Sequence, residues 1–207
     1  MKLFGVLSLI YLVCLSAGYA GTPSPLDTAS HHLIDNVPYL RQKREHCGPA
    51  SLAMVLGYYN VILSQEELAE EFYRKEISGS LNLDLLISAR RHGFDAATPE
   101  GSLSLLKRYI SSNVPIIIMV SSSPGSNKYH FMVVFGYDDT HELFRIHSGR
   151  TRDGTIGYNE LDRIWEPTGK WMLAVERKDW GMGNGEWGIG NGKENVEPQN
   201  IEYRMSK

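Results

Sequence analysis

Two apolar runs rich in β-branched residues restrict the fold of this chain more than any other feature. They are Pro115-Ile-Ile-Ile-Met-Val-Ser121 and Tyr129-His-Phe-Met-Val-Val-Phe-Gly-Tyr137. A run that is apolar at successive positions, rather than alternate ones, marks a central strand covered on both faces. The chain before Asn113 reads instead as helices. Helices first and antiparallel strands second predict an α+β domain over residues 37–178.

The helical half is punctuated clearly. Val37-Pro38 is extended, because the residue before proline is pushed out of the helical region. Cys47-Gly-Pro opens a helix with proline in its first turn, and Leu52, Val55, Leu56 and Tyr59 recur at helical spacing as a buried face. Ser64-Gln-Glu-Glu67 reads as a capping box that opens a second helix to about Arg74. A turn at 77–80 leads into a third helix over 81–92, with Leu81, Leu85, Leu86 and Ala89 inward and Gly93 as its stop. A short strand is expected at 94–97. Ser102 caps a fourth helix over 103–112, with Leu103, Leu106 and Ile110 on one side.

Around the two apolar runs the expected pieces are a loop at 122–128, a hairpin turn at 138–141 and its partner strand at 142–148. A charged loop at 150–154, a short helix capped by Asn159 and a closing strand at 171–176 complete the domain.

The flanks read differently. Lys2, the apolar stretch 3–15 and Gly18-Tyr19-Ala20 have the form of a signal peptide over 1–20, which predicts an exported protein, periplasmic or secreted. The apolar stretch is short for a membrane span, so membrane contact is expected only through an uncleaved signal segment. Residues 21–36 form a flexible lead-in. Trp180-Gly-Met-Gly-Asn-Gly and Trp187-Gly-Ile-Gly-Asn-Gly repeat one pattern, and glycine at alternate positions carries too much backbone entropy to fold alone. Residues 179–207 therefore read as a Gly/Trp-rich disordered or docking tail. With a net charge of −3 and no basic stripe interleaved with aromatics, nucleic acid is not an expected partner.

The chain has two cysteines. If Cys14 leaves with the signal, Cys47 remains as a single thiol that cannot form an internal disulfide, and it is flagged as reactive. It follows the polar stretch Gln42-Lys-Arg-Glu-His46 and stands at the positive end of a helix dipole, where a lowered thiol pKa is expected. A thiol that attacks a carbonyl needs a base, an oxyanion donor and a group that orients the base. His130 is the best-placed base: a strand holds it, and the adjoining loop leaves it reachable. His31 and His32 lie in the lead-in, His92 ends a helix and His141 is in a turn. His46 adjoins Cys47, and adjacent residues rarely direct their side chains at each other. The seven histidines show no metal-ligand spacing, so no metal or other cofactor is expected. Gln42, five residues before Cys47, suits the oxyanion donor.

Val37-Pro38, Gln42, Cys47-Gly-Pro-Ala-Ser-Leu-Ala-Met-Val-Leu and His130-Phe-Met-Val-Val-Phe-Gly-Tyr-Asp-Asp139 together resemble the bacterial cysteine peptidase family 39. These are papain-like domains that cleave double-glycine leaders from bacteriocin precursors, and the likeness runs from about Val37 to Val175. It implies a papain-like fold, a peptide or protein substrate, Cys47 as nucleophile, His130 as base and Gln42 as oxyanion donor. The departure is the third member, an Asp or Asn sixteen to eighteen residues after the histidine. This chain reads Phe144-Arg-Ile-His-Ser-Gly149 there. Hairpin pairing sets Ser148 or Gly149 opposite His130, with His147 diagonal. Either Ser148 orients a Cys–His dyad, or Asp138, Asp139 or Asp153 reaches in from a loop.

No P-loop appears, so coupling to an ATP-driven exporter would need a separate export system. The rival expectations are a non-catalytic peptide-binding module on the same fold and a Cys-dependent acyl or amide transferase.

Overall fold

The computed structural model describes residues 30–123 and 127–178. The signal peptide, most of the lead-in, Cys14 and the Gly/Trp tail lie outside the described residues. The elements run β1 (His31–Leu33), α1 (Cys47–Tyr58), α2 (Gln65–Phe72), α3 (Asn82–Arg91), β2 (Phe94–Ala97), α4 (Leu103–Ser111), β3 (Ile116–Ser121), β4 (Tyr129–Asp138), β5 (Leu143–Ser148), β6 (Thr151–Gly157), α5 (Tyr158–Trp165) and β7 (Met172–Arg177). The strands form one antiparallel sheet in the order β2-β7-β3-β4-β5-β6, with β1 also paired to β4.

The apolar runs are continuous because the sheet is covered twice. Ile116, Ile118, Met132 and Val134 face one buried cluster with Leu106 and Ile110 of α4 and Leu161 and Trp165 of α5. Ile117, Phe131 and Val133 face a second cluster with Leu52, Val55 and Leu56 of α1, Leu68 of α2 and Leu85 of α3. Side chains that alternate across a strand thus find apolar neighbours on both sides.

The predicted helix starts rest on observed caps. Ser64 accepts from the Glu67 N–H (3.1 Å) while the Glu67 carboxylate accepts from the Ser64 N–H (2.8 Å). Ser102 accepts from the Leu105 N–H (3.1 Å). Other expectations shift. Helix α1 is buried all round from Gly48 to Leu56, not on one face, because it lies between the sheet and the helices α2 and α3. Leu81 is 37 % exposed, not inward. The end of the lead-in pairs as β1, with Ile34 buried behind it. Gly157, not Asn159, precedes the first turn of α5.

Most of the charged stretch 150–154 is not a loop. Arg150 is in a turn, but 151–154 belong to β6, which pairs along β5 and puts Ile156 into the core. The β4–β5 hairpin also pairs one residue beyond the expected turn, Asp138 against Leu143, and slips again at a bulge between Val134 and Gly136. That slip places His147 opposite Val133.

Candidate active site

Cys47 is the first residue of α1. The loop before it is held by the buried amide of Gln65, which accepts from the Lys43 N–H (2.8 Å) and donates to the Arg41 carbonyl (3.1 Å). Gly48 lets the first turn pack tightly, since a Cβ there would meet Ser80 Cβ at 3.1 Å and Leu85 Cδ1 at 3.2 Å.

The expected lowering of the thiol pKa is not what the surroundings produce. Burial pushes the Cys47 thiol up, and the backbone N–H groups of Phe131, Gly48 and Cys47 offset it only in part. Removing an anion from water outweighs a few aligned donors. The Phe131 N–H nevertheless locates the sulfur beside the residue that follows His130, so the helical and sheet halves meet at the thiol.

His130 is the second residue of β4, and burial lowers its imidazole pKa. Its Nε2 lies 3.0 Å from Ser148 Oγ on β5. This leaves Nδ1 for a second partner. A hydroxyl fixes the ring without supplying charge to hold a proton on it, in keeping with the lowered imidazole pKa.

Gln42 reaches the same place by a different route. Its backbone N–H donates to the Gly149 carbonyl (3.2 Å), which also accepts from the Tyr39 hydroxyl (3.3 Å). Gly149 has φ +58°, and a Cβ on it would stand 3.7 Å from Gln42 Oε1 and 3.9 Å from His130 Cε1. The Ser148-Gly149 turn is therefore where Gln42 and His130 converge.

The three candidate carboxylates, Asp138 at the end of β4, Asp139 in the turn after it and Asp153 in β6, are engaged elsewhere. Asp138 accepts from the Thr140 N–H and pairs with His141 Nδ1 at 2.7 Å. Asp139 pairs with Lys107 (2.5 Å) and accepts from the Tyr158 hydroxyl (2.7 Å). Asp153 Oδ1 is 3.7 Å from His147 Nδ1 and its other oxygen is 3.3 Å from Arg152 Nε. The His46 ring stacks at a tilt on Tyr73, 5.5 Å between centroids.

Two contributors escape a reading of spacing alone. They are the Tyr39 hydroxyl and His147, which is 1 % exposed with both ring nitrogens partnered. A histidine next to Ile146 and one residue before the end of β5 is the one signal the sequence carries for the second. Among the described residues no group of three or more His, Cys, Asp or Glu side chains is placed to hold a metal ion.

A half-buried thiol at a helix N-terminus, an imidazole held by a hydroxyl and a nearby amide form the equipment of thiol-based acyl transfer. Comparison with known proteins agrees. The model of the Peptidase_C39 like family matches residues 34–172. Among solved structures, a C39-like peptidase from Bacillus anthracis is 17% identical, with 72% of this chain and 98% of that one covered and a TM-score of 0.59. A double glycine motif protease from an AMS/PCAT transporter, crystallised in complex with the leader peptide, is 25% identical over 70% and 94%, with a TM-score of 0.57. Xylellain, a cysteine protease from Xylella fastidiosa, is 12% identical over 72% and 87%, with a TM-score of 0.53. No curated protein matches the chain.

Proposed function

The chain belongs to the Peptidase_C39 like family of cysteine peptidases with a papain-like fold, and from that premise we propose that it hydrolyses a glycine-containing site in an extended peptide, with Cys47, His130, Gln42 and Ser148 as its working groups. The carrying observation is the convergence of Gln42 and His130 on the turn formed by Ser148 and Gly149, with the Cys47 sulfur at the neighbouring Phe131 amide.

The steps follow from those positions. With the thiol pKa raised and the imidazole pKa lowered, the resting pair is neutral. His130 takes the thiol proton as the sulfur attacks the substrate carbonyl carbon. The carbonyl oxygen becomes an oxyanion, and the Gln42 amide donates to it together with the Cys47 N–H at the start of α1. Collapse breaks the C–N bond, His130 gives its proton to the leaving amine, and an acyl thioester stays on Cys47. Water then attacks this thioester with His130 as base. The C–S bond breaks, and the sulfur recovers its proton.

The glycine preference rests on likeness to the double glycine motif protease solved with its leader peptide. Export rests on the Lys2, 3–15 and Ala20 pattern, and a dedicated export system is then a candidate partner. A second reading, peptide binding without turnover, draws on the uncharged Ser148 and the raised thiol pKa. One experiment separates the two. Wild type and Cys47→Ala are incubated with leader peptides that end in Gly-Gly or Gly-Ala, and fragments are followed by mass spectrometry. Cleavage by wild type and none by Cys47→Ala supports the peptidase. Equal, saturable binding with no cleavage by either supports the binding module.

A further inference from the structure

One buried titratable group has no part in the steps above. His147 sits at an irregular point of the β5–β6 hairpin. Ile146 pairs with Gly154 and Ser148 with Thr151, so a single residue of β5 stands against two of β6, Arg152 and Asp153. This is a β-bulge, and such a device re-aims a side chain at the cost of an unpaired backbone group. The freed group is the N–H of Asp153, a residue at φ +49°. It donates to His147 Nδ1 at 3.2 Å.

The other ring nitrogen reaches across the site. Nε2 lies 3.2 Å from the carbonyl of Val37, at the head of the segment that carries Tyr39 and Gln42. An amide N–H only donates and a carbonyl only accepts, so the ring has to be the neutral Nε2–H tautomer. Phe135 at 4.3 Å and Tyr39 at 5.4 Å between ring centroids hold its plane. Burial opposes its protonation.

We infer that His147 is a positioning residue for this site: its imidazole splints the bulge that aims Ser148 at His130 to the 37–42 segment that presents Gln42. The inference rests on the peptidase reading for its meaning. An apolar residue of equal size would fill the space, yet it would leave the Asp153 N–H and the Val37 carbonyl unpaired and free to find other partners. The Ser148-Gly149 turn, which follows directly, would then lose its fixed register against both His130 and Gln42.

The test uses the full chain and two variants. His147→Phe keeps a planar ring and removes both hydrogen bonds. His147→Gln returns one donor and one acceptor. Ring ¹⁵N spectra of wild type at pH 7 are expected to show His147 with a protonated Nε2 and a bare Nδ1, and an Nδ1–H tautomer or an imidazolium overturns the inference. In His147→Phe the His130 ring shifts are expected to move. The rate of Cys47 acylation by a peptide electrophile is expected to fall by about 10²-fold, since small misplacements of reacting groups cost that much, with the electrophile's half-saturation concentration within about twofold. His147→Gln is expected to recover at least part of that loss. Unchanged His130 shifts and rates in a folded His147→Phe protein contradict the inference. If His147→Phe does not fold, the wild-type tautomer and the rate of the Gln variant decide it. A wild type that cleaves no peptide would sink the peptidase reading alone, because the ¹⁵N shifts report the coupling without turnover.

Discussion

His130 Nε2 lies 3.0 Å from Ser148 Oγ, eighteen residues away on the neighbouring strand β5. The three aspartates that are candidates for this position, Asp138, Asp139 and Asp153, are occupied with His141, Lys107, Tyr158 and Arg152. The imidazole is therefore oriented by a neutral group.

Substitutions at Ser148 measure what that neutrality does. Ser148→Ala removes one uncharged hydrogen bond, worth about 1 kcal/mol, so kcat is expected to fall by roughly fivefold with KM unchanged. Ser148→Asp supplies a charge that favours the imidazolium, so the His130 pKa is expected to rise. Titration of the His130 ring by NMR in both variants checks the pair.

The same neutrality sets the pH dependence. Burial lowers the His130 pKa, so the base stays free as pH falls below the ordinary histidine value of about 6.5. Burial raises the Cys47 pKa, so the small-molecule alkylation rate is expected to climb through and above about pH 8.5, with no thiolate plateau in the acid range. A pH series of iodoacetamide labelling followed by intact mass measures it.

Stability should follow His147 in the same sense as a paired acid. Its pKa is lowered in the fold, so its neutral form is favoured there. The stability it contributes is present above the unfolded value of about 6.5 and is lost as pH falls through the folded value. The thermal midpoint of wild type is expected to drop from pH 7 to pH 5, and that of His147→Gln to drop less, as read by differential scanning calorimetry.

Gly149→Ala tests the turn itself. A non-glycine residue at φ +58° costs about 1–2 kcal/mol, which lowers the melting temperature by several degrees. Its methyl group would stand between Gln42 and His130 at ordinary contact distance. Activity is thus expected to fall further than stability, and parallel melting and kinetic measurements separate the two losses. Gln42→Ala, which removes the proposed oxyanion donor while leaving the turn intact, is expected to lower kcat by about 10²-fold.

Much of this arrangement is legible in the residues. Ser64 with Glu67 and Ser102 with Leu105 announce their helices through local hydrogen bonds, and the 115–121 run announces a doubly covered strand. Local chemistry of that kind survives folding. What depends on distant partners does not show in advance. The stretch 150–154 looks like a charged loop because a pairing partner, not its own composition, makes 151–154 part of a strand. The helix dipole at Cys47 predicts a lowered thiol pKa, whereas burial, a tertiary property, decides the direction. The register of β4 on β5 depends on a bulge at Val134 and Gly136 that no residue type there demands. His147 is visible in the sequence, but its two partners are six and 110 residues away.

The most direct test of the account is labelling with a thiol-reactive peptide electrophile, comparing wild type with His130→Ala at pH 7 and locating the adduct by peptide mapping. A positioned base is worth about 10²–10⁴-fold. The account predicts an adduct on Cys47 that forms at least about 10²-fold faster in wild type. Equal and slow labelling of both proteins would contradict it, because His130 would then not be the group that activates Cys47.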